Sequence, residues 1–142
     1  MLRCSTTREE FRATRHRQLR DRPLGPGDRR RGRGATIGRV HVTKTFHGDL
    51  DGTSTADLLT ATAAVEGSAA YVAFERFTGT AHGRKGTFVL HHTASGSGGE
   101  RSLSWTILPD SGTGELLGIA GGGGIAIEED GGHTYVLDYE LP

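Results

Sequence analysis

The sequence predicts an all-β protein, most simply a small antiparallel barrel of eight strands, or of seven if it is incompletely closed. Apolar and polar side chains alternate along segments of about ten residues from Arg39 to Tyr139. Glycine-marked turns separate these segments, and the chain has 23 glycines but only 4 prolines. Because the period of the alternation is two, one face of each segment points to a core and the other points to solvent or a partner.

Each of the first four predicted strands shows this alternation, and glycine-containing turns separate them. Residues 39–48 place valine, lysine and phenylalanine at every second position. Residues 53–64 contain alanines and a pair of leucines that also permit a helix, but their threonines favour a strand. Residues 69–80 carry an aromatic side chain on each face, and residues 87–95 align a phenylalanine, a leucine and a histidine.

The last four predicted strands complete the barrel. Residues 101–108 align leucine, tryptophan and isoleucine, and a Pro-Asp-Ser-Gly turn leads into residues 113–120. The glycine run 121–124 is predicted to be a tight connection to residues 125–129. Residues 133–141 align tyrosine and leucine side chains. The aligned apolar sets of these strands are together enough for one barrel core.

Length and charge indicate one folded domain with a basic extension. A chain of 142 residues suits one domain, which we place at residues 36–142. Residues 1–34 hold eleven arginines and four acidic residues, a net charge of +7. Residues 35–142 hold six basic and thirteen acidic residues, a net charge of −7, which argues against nucleic-acid binding by the barrel.

The sequence predicts a cytoplasmic protein without a membrane segment. Its single cysteine, Cys4, excludes an intramolecular disulfide and suits a reducing cytosol. No apolar run approaches the roughly 18 residues that a membrane-spanning helix needs. The first residues of the chain lack the hydrophobic stretch of a secretory signal.

Residues 1–35 form an arginine-rich segment that lacks the strand pattern and is predicted to be disordered. A capping box from Thr6 to Glu9 could open a helix to about Arg20, although its apolar residues are too few for a packing stripe. Two further interpretations are a basic arm for nucleic acid or anionic lipid, and a reading-frame artefact of a GC-rich gene.

Four sequence phrases follow one another along residues 36–142. They are Val42-Thr43-Lys44-Thr45-Phe46-x-Gly48-Asp49-Leu50-x-Gly52, Phe74-Glu75-Arg76-Phe77-x-Gly79-Thr80-x-x-Gly83-Arg84-x-Gly86-x-Phe88-Val89-Leu90-x-His92, Ser111-Gly112-Thr113-Gly114-Glu115-Leu116-x-Gly118-Ile119-x-Gly121 and Tyr135-x-Leu137-Asp138-Tyr139-x-Leu141. Together they resemble the family called domain of unknown function 3224. The resemblance implies an eight-stranded antiparallel barrel similar to that of allene oxide cyclase, with no established activity.

The start of the chain departs from the pattern of that family. Its members usually begin with one more alternating strand before the first phrase, whereas this chain has the arginine-rich segment there. The departure favours the reading-frame interpretation of that segment. It also implies a seven-stranded, incompletely closed barrel with an unpaired edge, which favours pairing between chains.

One set of inward-facing residues would form a pocket for a small molecule. If the larger apolar residues face inward, Lys44, Arg76 and His92 face inward with them. Buried charges are costly, so each of these is expected to be paired or to reach the barrel mouth. The predicted ligand-binding residues are Lys44, Phe74, Arg76, Phe88, His92, Trp105 and Tyr139. Such a lipocalin-like interior accommodates one small apolar or amphipathic ligand.

The opposite face offers a candidate acid–base group around Glu75. If that face is inward, Glu75 joins Tyr71, His91 and Asp138, so that a carboxylate and an imidazole share a pocket. Glu75 is then the candidate catalytic residue of an isomerase or cyclase. That activity rests on similarity of fold alone.

The sequence predicts neither a metal nor a cofactor. His91 and His92 are adjacent in a strand, point to opposite faces and cannot both bind one ion. The glycine run lacks the following Lys-Ser/Thr and the helix of a phosphate-binding loop. Ser102 and Ser104 lack the setting of a nucleophile elbow.

Three classes of function are therefore open. The leading one is a small-molecule-binding barrel, the second is an enzyme that uses Glu75, and the third is a structural, self-associating barrel filled by its own side chains. Apolar residues on both faces of one strand, such as Phe74 and Phe77, indicate a homo-oligomer. Glu75 inside the barrel beside a histidine would favour the enzyme, whereas Glu75 on the outer wall would exclude it.

Overall fold

The computed structural model describes residues 7–12, 30–31, 33–127 and 133–142. These residues form a nine-stranded antiparallel sheet and one 3₁₀ turn over Gly114–Leu116. In chain order the strands are β1 Thr7–Arg12, β2 Arg30–Arg31, β3 Ala35–Phe46, β4 Leu50–Ala63, β5 Ala69–Ala81, β6 Arg84–Ser97, β7 Glu100–Ile107, β8 Ala120–Ile127 and β9 His133–Glu140. No helix within these ranges is long and apolar enough to cross a membrane.

The sheet has the simplest connectivity, since every strand from β2 to β9 lies beside its neighbour in the chain. The full order is β1-β9-β8-β7-β6-β5-β4-β3-β2, so β1 returns to the far side of β9. Within the described ranges β1 and β2 are the two edges and the sheet does not close. This all-β architecture fits a small, incompletely closed barrel and confirms the predicted fold class.

Most of the predicted strands are confirmed, and several are longer than predicted. Strands β3 to β7 and β9 lie where the alternation predicts them. β4 begins at Leu50, before the predicted start at residue 53, and β6 continues to Ser97, beyond the predicted end at residue 95. β4 is a strand rather than a helix because it pairs along its length with both β3 and β5.

Two predictions in the second half of the chain are wrong. Residues 113–120, predicted as a strand, contain the 3₁₀ turn, and the glycine run predicted as a tight connection lies within β8. Glycine is needed at positions 121 and 123 of β8 because the backbone there runs very close to that of β9. A Cβ atom on Gly123 would overlap the carbonyl oxygen of Val136.

Two short parts of the arginine-rich segment are described. Thr7–Arg12, where the capping box would open a helix, is instead strand β1, because it pairs with six residues of β9. Arg30–Arg31 forms the short strand β2 beside β3. The rest of the prediction for residues 1–32 lies outside the described residues.

The inner face of the sheet is tightly packed toward one end, which we name the packed end. It consists of Phe46, Leu50, Phe77, Phe88, Leu116 and Ile119, all of them almost inaccessible to solvent. The Phe77 ring lies between those of Phe46 and Phe88, with centroids 5.7 and 5.1 Å away. Leu116 and Ile119 belong to the segment between β7 and β8, so the 3₁₀ turn covers this end.

The other end of the inner face, which we name the exposed end, is partly accessible. Along β5, Phe77 and Glu75 are 0% exposed, whereas Tyr71 is half-buried. Along β7, exposure rises from 1% at Trp105 to 37% at Leu103. The exposed end consists of Val40, Leu58, Tyr71, Ala94 and Leu103.

Candidate functional site

Five polar side chains from five consecutive strands meet on the inner face, between the packed end and the exposed end. We name them the Glu75 cluster, and they are Lys44 on β3, Ser54 on β4, Glu75 on β5, His92 on β6 and Trp105 on β7. The strand register brings them together, because Lys44 is opposite Ser54 and His92 is opposite Trp105. The cluster is thus assembled by strand pairing and not by a local motif.

The carboxylate of Glu75 is the centre of the cluster and is 0% exposed. The Lys44 ammonium donates a hydrogen bond to Oε2 over 2.9 Å, and the Ser54 hydroxyl donates one to Oε1. Nε2 of His92 lies 2.7 Å from Oε2. A buried carboxylate requires such partners, since an unpaired charge in the interior is strongly unfavourable.

These contacts determine the protonation of Glu75. Burial by itself raises the pKa of a carboxyl group. Here the hydrogen bond with His92, the positive charge of Lys44 and the hydrogen bond from Ser54 outweigh burial and lower the pKa of Glu75 from 4.5 to about 2. Glu75 is therefore a stable carboxylate at neutral pH and a weak base, and its chemical contribution is a fixed negative charge.

His92 lies between the carboxylate and the indole ring of Trp105. The Nε2 atom of His92 is 2.7 Å from Oε2 of Glu75 and also 2.7 Å from Nε1 of Trp105. The two rings are tilted by 59°, with centroids 5.6 Å apart. One nitrogen of His92 thus contacts both a hydrogen-bond acceptor and a hydrogen-bond donor.

Tyr71 extends the polar surface from the cluster toward the exposed end. It lies on the same face of β5 as Glu75, four residues away, and is half-buried. Burial, and then the negative charge of Glu75, raise the pKa of its phenol above 10.0. Tyr71 therefore keeps its hydroxyl proton at neutral pH and can donate a hydrogen bond.

Five of the seven predicted ligand-binding residues lie on the inner face, and two do not. Those on the inner face are Lys44, Phe88, His92, Trp105 and Tyr139. Phe74 and Arg76 lie on the outer face, where Phe74 is 56% exposed and stacks on His91 at 5.1 Å. Their predicted inward orientation is wrong because Phe77, on the other face of β5, fills the core.

Glu75 lies on the inner face of the sheet, as one of the two predicted arrangements requires, but of its three predicted partners only Tyr71 lies on that face. The histidine beside it is His92, since His91 is exposed on the outer face. Asp138 also lies on the outer face, because it alternates with the fully buried Leu137. Ser54 was not predicted, and the only signal for it is its register opposite Lys44, which the sequence does not reveal.

Tyr139 belongs to a separate polar contact on the inner face. Its hydroxyl is hydrogen-bonded to Nδ1 of His82, which follows β5, and the two rings stack with centroids 5.6 Å apart. Tyr139 also packs against the apolar core. This contact fixes β9 against the turn between β5 and β6, so its geometry supports a structural role for Tyr139.

The described part of the chain contains no group of three or more histidine, cysteine, aspartate or glutamate side chains arranged to hold a metal ion. In the Glu75 cluster the histidine and the carboxylate contact an ammonium, a hydroxyl and an indole, all of which can donate hydrogen bonds. Such surroundings suit a polar organic group better than a cation.

Comparison with known proteins gives the family of this chain. A model of the family described as "Protein of unknown function (DUF3224)" matches residues 25–139, which include the whole Glu75 cluster. The chain belongs to the DUF3224 family. No curated protein matches it.

A solved structure of another DUF3224 protein resembles this one. That protein comes from Shewanella oneidensis MR-1 and is described as a protein with unknown function. Its sequence is 34% identical, the match covers 96% of this chain and 99% of that one, and the TM-score is 0.78. The DUF3224 resemblance of the sequence is thereby confirmed, while the likeness to allene oxide cyclase stays a prediction.

Proposed function

We propose that this DUF3224 protein binds a small apolar or amphipathic molecule within the barrel. The apolar part of the ligand lies against the exposed end, and its polar group lies against the Glu75 cluster. The observation that carries the proposal is the position of the cluster, where the packed core gives way to a partly exposed inner wall. A ligand site commonly combines an apolar wall with a few convergent polar groups.

The energetics of the cluster support a functional role. Removing an ammonium and a carboxylate from water costs several kcal/mol per ion, and replacing such a pair by apolar side chains is often neutral or stabilising. A barrel that needed only to be stable could place leucine or methionine at Lys44 and Glu75. The buried pair is better accounted for by a ligand that needs its charges.

The composition of the exposed end supports an apolar partner. Val40, Leu58, Ala94 and Leu103 are partly accessible apolar residues on the inner face of four strands. Tyr71 adds an aromatic ring with a polar tip among them. Covering these side chains would gain about 25 cal/mol for each Å² of apolar surface removed from water.

Two experiments test the proposal. Native mass spectrometry of protein purified from its host is expected to detect a small molecule that co-purifies, and its repeated absence would count against the proposal. Titration with 1-decanol, followed by the fluorescence of Trp105, tests the site directly. The variant Ala94→Phe, which fills the exposed end and leaves Trp105 the single tryptophan, is expected to abolish binding. The control Thr93→Phe on the outer face of the same strand is expected to retain it.

A second candidate is an isomerase or cyclase, favoured by the contact between Glu75 and His92. Because its pKa is lowered to about 2, Glu75 serves such an enzyme as an electrostatic group, which leaves the imidazole of His92 as the candidate base. An enzyme that removes a proton from carbon exchanges that proton with solvent. In D₂O, NMR of a bound carbonyl compound would then reveal deuterium at the carbon beside the carbonyl group, and its absence would argue against this candidate.

Self-association and cytoplasmic location stay predictions. Ile37, Leu59, Val72 and Phe74 are about half exposed on the outer face of neighbouring strands, and such a surface favours contact with a second copy. Sedimentation velocity of the wild type and of Val72→Lys tests this. A dimer that the substitution dissociates would support the self-associating barrel, and a monomeric wild type would exclude it.

A further inference from the structure

We propose that Lys44 captures an aldehyde as a protonated imine, a Schiff base, with the carboxylate of Glu75 as its counterion. The chemical class of the ligand is then an apolar or amphipathic aldehyde. This inference rests on the proposed function. It adds the reactive group of the ligand and a covalent bond between ligand and protein.

The position of Lys44 gives its amine both access to the ligand and a wall beside it. The side chain of Lys44 is 14% exposed, whereas the carboxylate that it contacts is 0% exposed. An arriving molecule therefore meets the nitrogen of Lys44 and not Glu75. The apolar residues of the exposed end hold the alkyl chain of the ligand, which keeps its carbonyl carbon close to Nζ and raises the effective concentration of the aldehyde there.

Charge balance favours the imine at this position. An ammonium and a protonated imine each carry one positive charge, so the ion pair with Glu75 survives the reaction. A pKa of about 2 keeps Glu75 ionised at neutral pH, and the hydroxyl of Ser54 holds its other oxygen. The N–H of the imine can donate to Oε2, the atom that lies 2.9 Å from Nζ. No buried charge loses its partner, a loss that would be strongly unfavourable in the interior.

The condensation needs no oxidant, no reductant and no net proton. Nζ of Lys44 passes one proton to solvent, and its lone pair forms a bond to the carbonyl carbon. The carbonyl oxygen takes up a second proton from Nζ and one from solvent. It leaves as water with the electrons of the C–O bond, while the lone pair of Nζ forms the C=N bond. An aldehyde and an ammonium thus give a protonated imine and one water molecule.

The surroundings of the pair slow the loss of the imine. Hydrolysis needs water at the imine carbon, and the side chains on the inner side, Glu75 and His92, are 0% and 4% exposed. An apolar ligand chain that lies on the exposed end covers the approach from that side. A closed, apolar site protects reactive intermediates of this kind from water.

A second lysine provides a comparison within the same chain. Lys44 and Lys85 are the only two lysines of the sequence. Lys85 is exposed and lies near the beginning of β6. An aldehyde that reacts with lysine unspecifically labels Lys85 at least as readily as Lys44, because Lys85 is the more accessible of the two. Selective reaction at Lys44 is therefore a property of the site.

Reductive trapping measures the reaction. Decanal is mixed with the full chain at neutral pH in equimolar amount, and sodium cyanoborohydride converts the protonated imine into a stable secondary amine. Mass spectrometry of the intact chain is expected to show one added decyl group. Peptide mapping is expected to place it on Lys44, with at least about tenfold preference over Lys85 and over the amino terminus.

Two matched variants and a competitor assign the reacting group. Lys44→Arg keeps a cation beside Glu75, but its guanidinium does not form the imine, so the labelling is expected to disappear. Lys85→Arg is expected to be labelled like the wild type. Decanoate has the same chain length as decanal, and its carboxylate is attracted to the Lys44 ammonium without condensing with it. An excess of decanoate is expected to protect Lys44 from decanal.

The outcomes separate this inference from the proposed function. Three results would overturn the inference and leave the proposed function standing: equal labelling of Lys44 and Lys85, labelling that persists in excess decanoate, or an unlabelled Lys44 in a protein that binds 1-decanol. An unlabelled Lys44 in a protein that binds neither 1-decanol nor decanoate overturns both.

Discussion

Lys44 on β3 and Glu75 on β5 form a 2.9 Å ion pair across the intervening strand β4. The two residues are 31 positions apart in the chain, and the hydroxyl of Ser54 on β4 contacts the same carboxylate. The pair lies on the inner wall of a barrel whose other inward residues are mainly apolar. Its stability and its chemistry can be tested separately.

Loss of the carboxylate is expected to destabilise the fold. In Glu75→Gln, Lys44 and His92 lose their charged partner, and breaking a buried ion pair typically costs about 3–5 kcal/mol. Urea denaturation measures the change in the free energy of unfolding. The matched control is Arg76→Gln, the exposed neighbour on the same strand, for which a change within about 0.5 kcal/mol is expected. Equal effects of the two substitutions would contradict the buried pair.

The stabilisation by Glu75 is expected to depend on pH in the acid range. Its folded pKa of about 2 lies below the ordinary value of 4.5, so the contribution is complete above pH 4.5 and is lost as pH falls toward 2. The size of this contribution at neutral pH is about 3 kcal/mol. Urea unfolding of the wild type and Glu75→Gln from pH 6 to pH 3 is expected to show the difference shrinking to about half or less. A difference that stays constant over this range would disprove the lowered pKa.

Two phenylalanines distinguish the inner face from the outer one. Phe88 is 0% exposed and Phe74 is 56% exposed. Phe88→Ala is expected to cost about 3–5 kcal/mol, because it leaves a cavity beside Phe77. Phe74→Ala is expected to cost less than about 1 kcal/mol, since the ring is largely in water and loses mainly its stacking on His91. If thermal or urea unfolding gave the reverse order, Phe74 and not Phe88 would face the core.

These two residues also show how far the sequence predicts the fold. Alternation identifies the two faces of β5, but each face carries an aromatic and a charged residue, Phe74 and Arg76 on one and Phe77 and Glu75 on the other. The choice between them depends on what lies across the sheet. Phe77 is inward because it packs between Phe46 and Phe88, contacts that only the folded barrel creates.

The candidate site was predictable in part for the same reason. Lys44 and His92 follow the apolar side of their own strands, so their inward orientation is predicted correctly. The contacts of both side chains with Glu75 join residues far apart in the chain, so the local sequence pattern does not predict them. The glycines of β8 mislead the prediction in a different way, since glycine marks both a turn and a strand whose backbone lies very close to its neighbours.

Neighbouring glycines in β8 provide a matched test of that close approach. A Cβ on Gly123 would overlap the backbone of Val136, whereas a Cβ on Gly124 would meet nothing within 4 Å. Gly123→Ala is therefore expected to destabilise the protein by at least about 2 kcal/mol, while Gly124→Ala is expected to be neutral or slightly stabilising. Denaturation midpoints that are equal for the two variants would mean that residues 121–124 do not run beside β9.

The affinity for decanoate of Lys44→Met, compared with Arg39→Met, tests the central claim most directly. Both substitutions remove a cation from β3, but Lys44 lies in the Glu75 cluster and Arg39 on the outer face. The account predicts that Lys44→Met weakens binding at least about tenfold, or ~1.4 kcal/mol, and that Arg39→Met binds like the wild type. Wild-type affinity in Lys44→Met would contradict it.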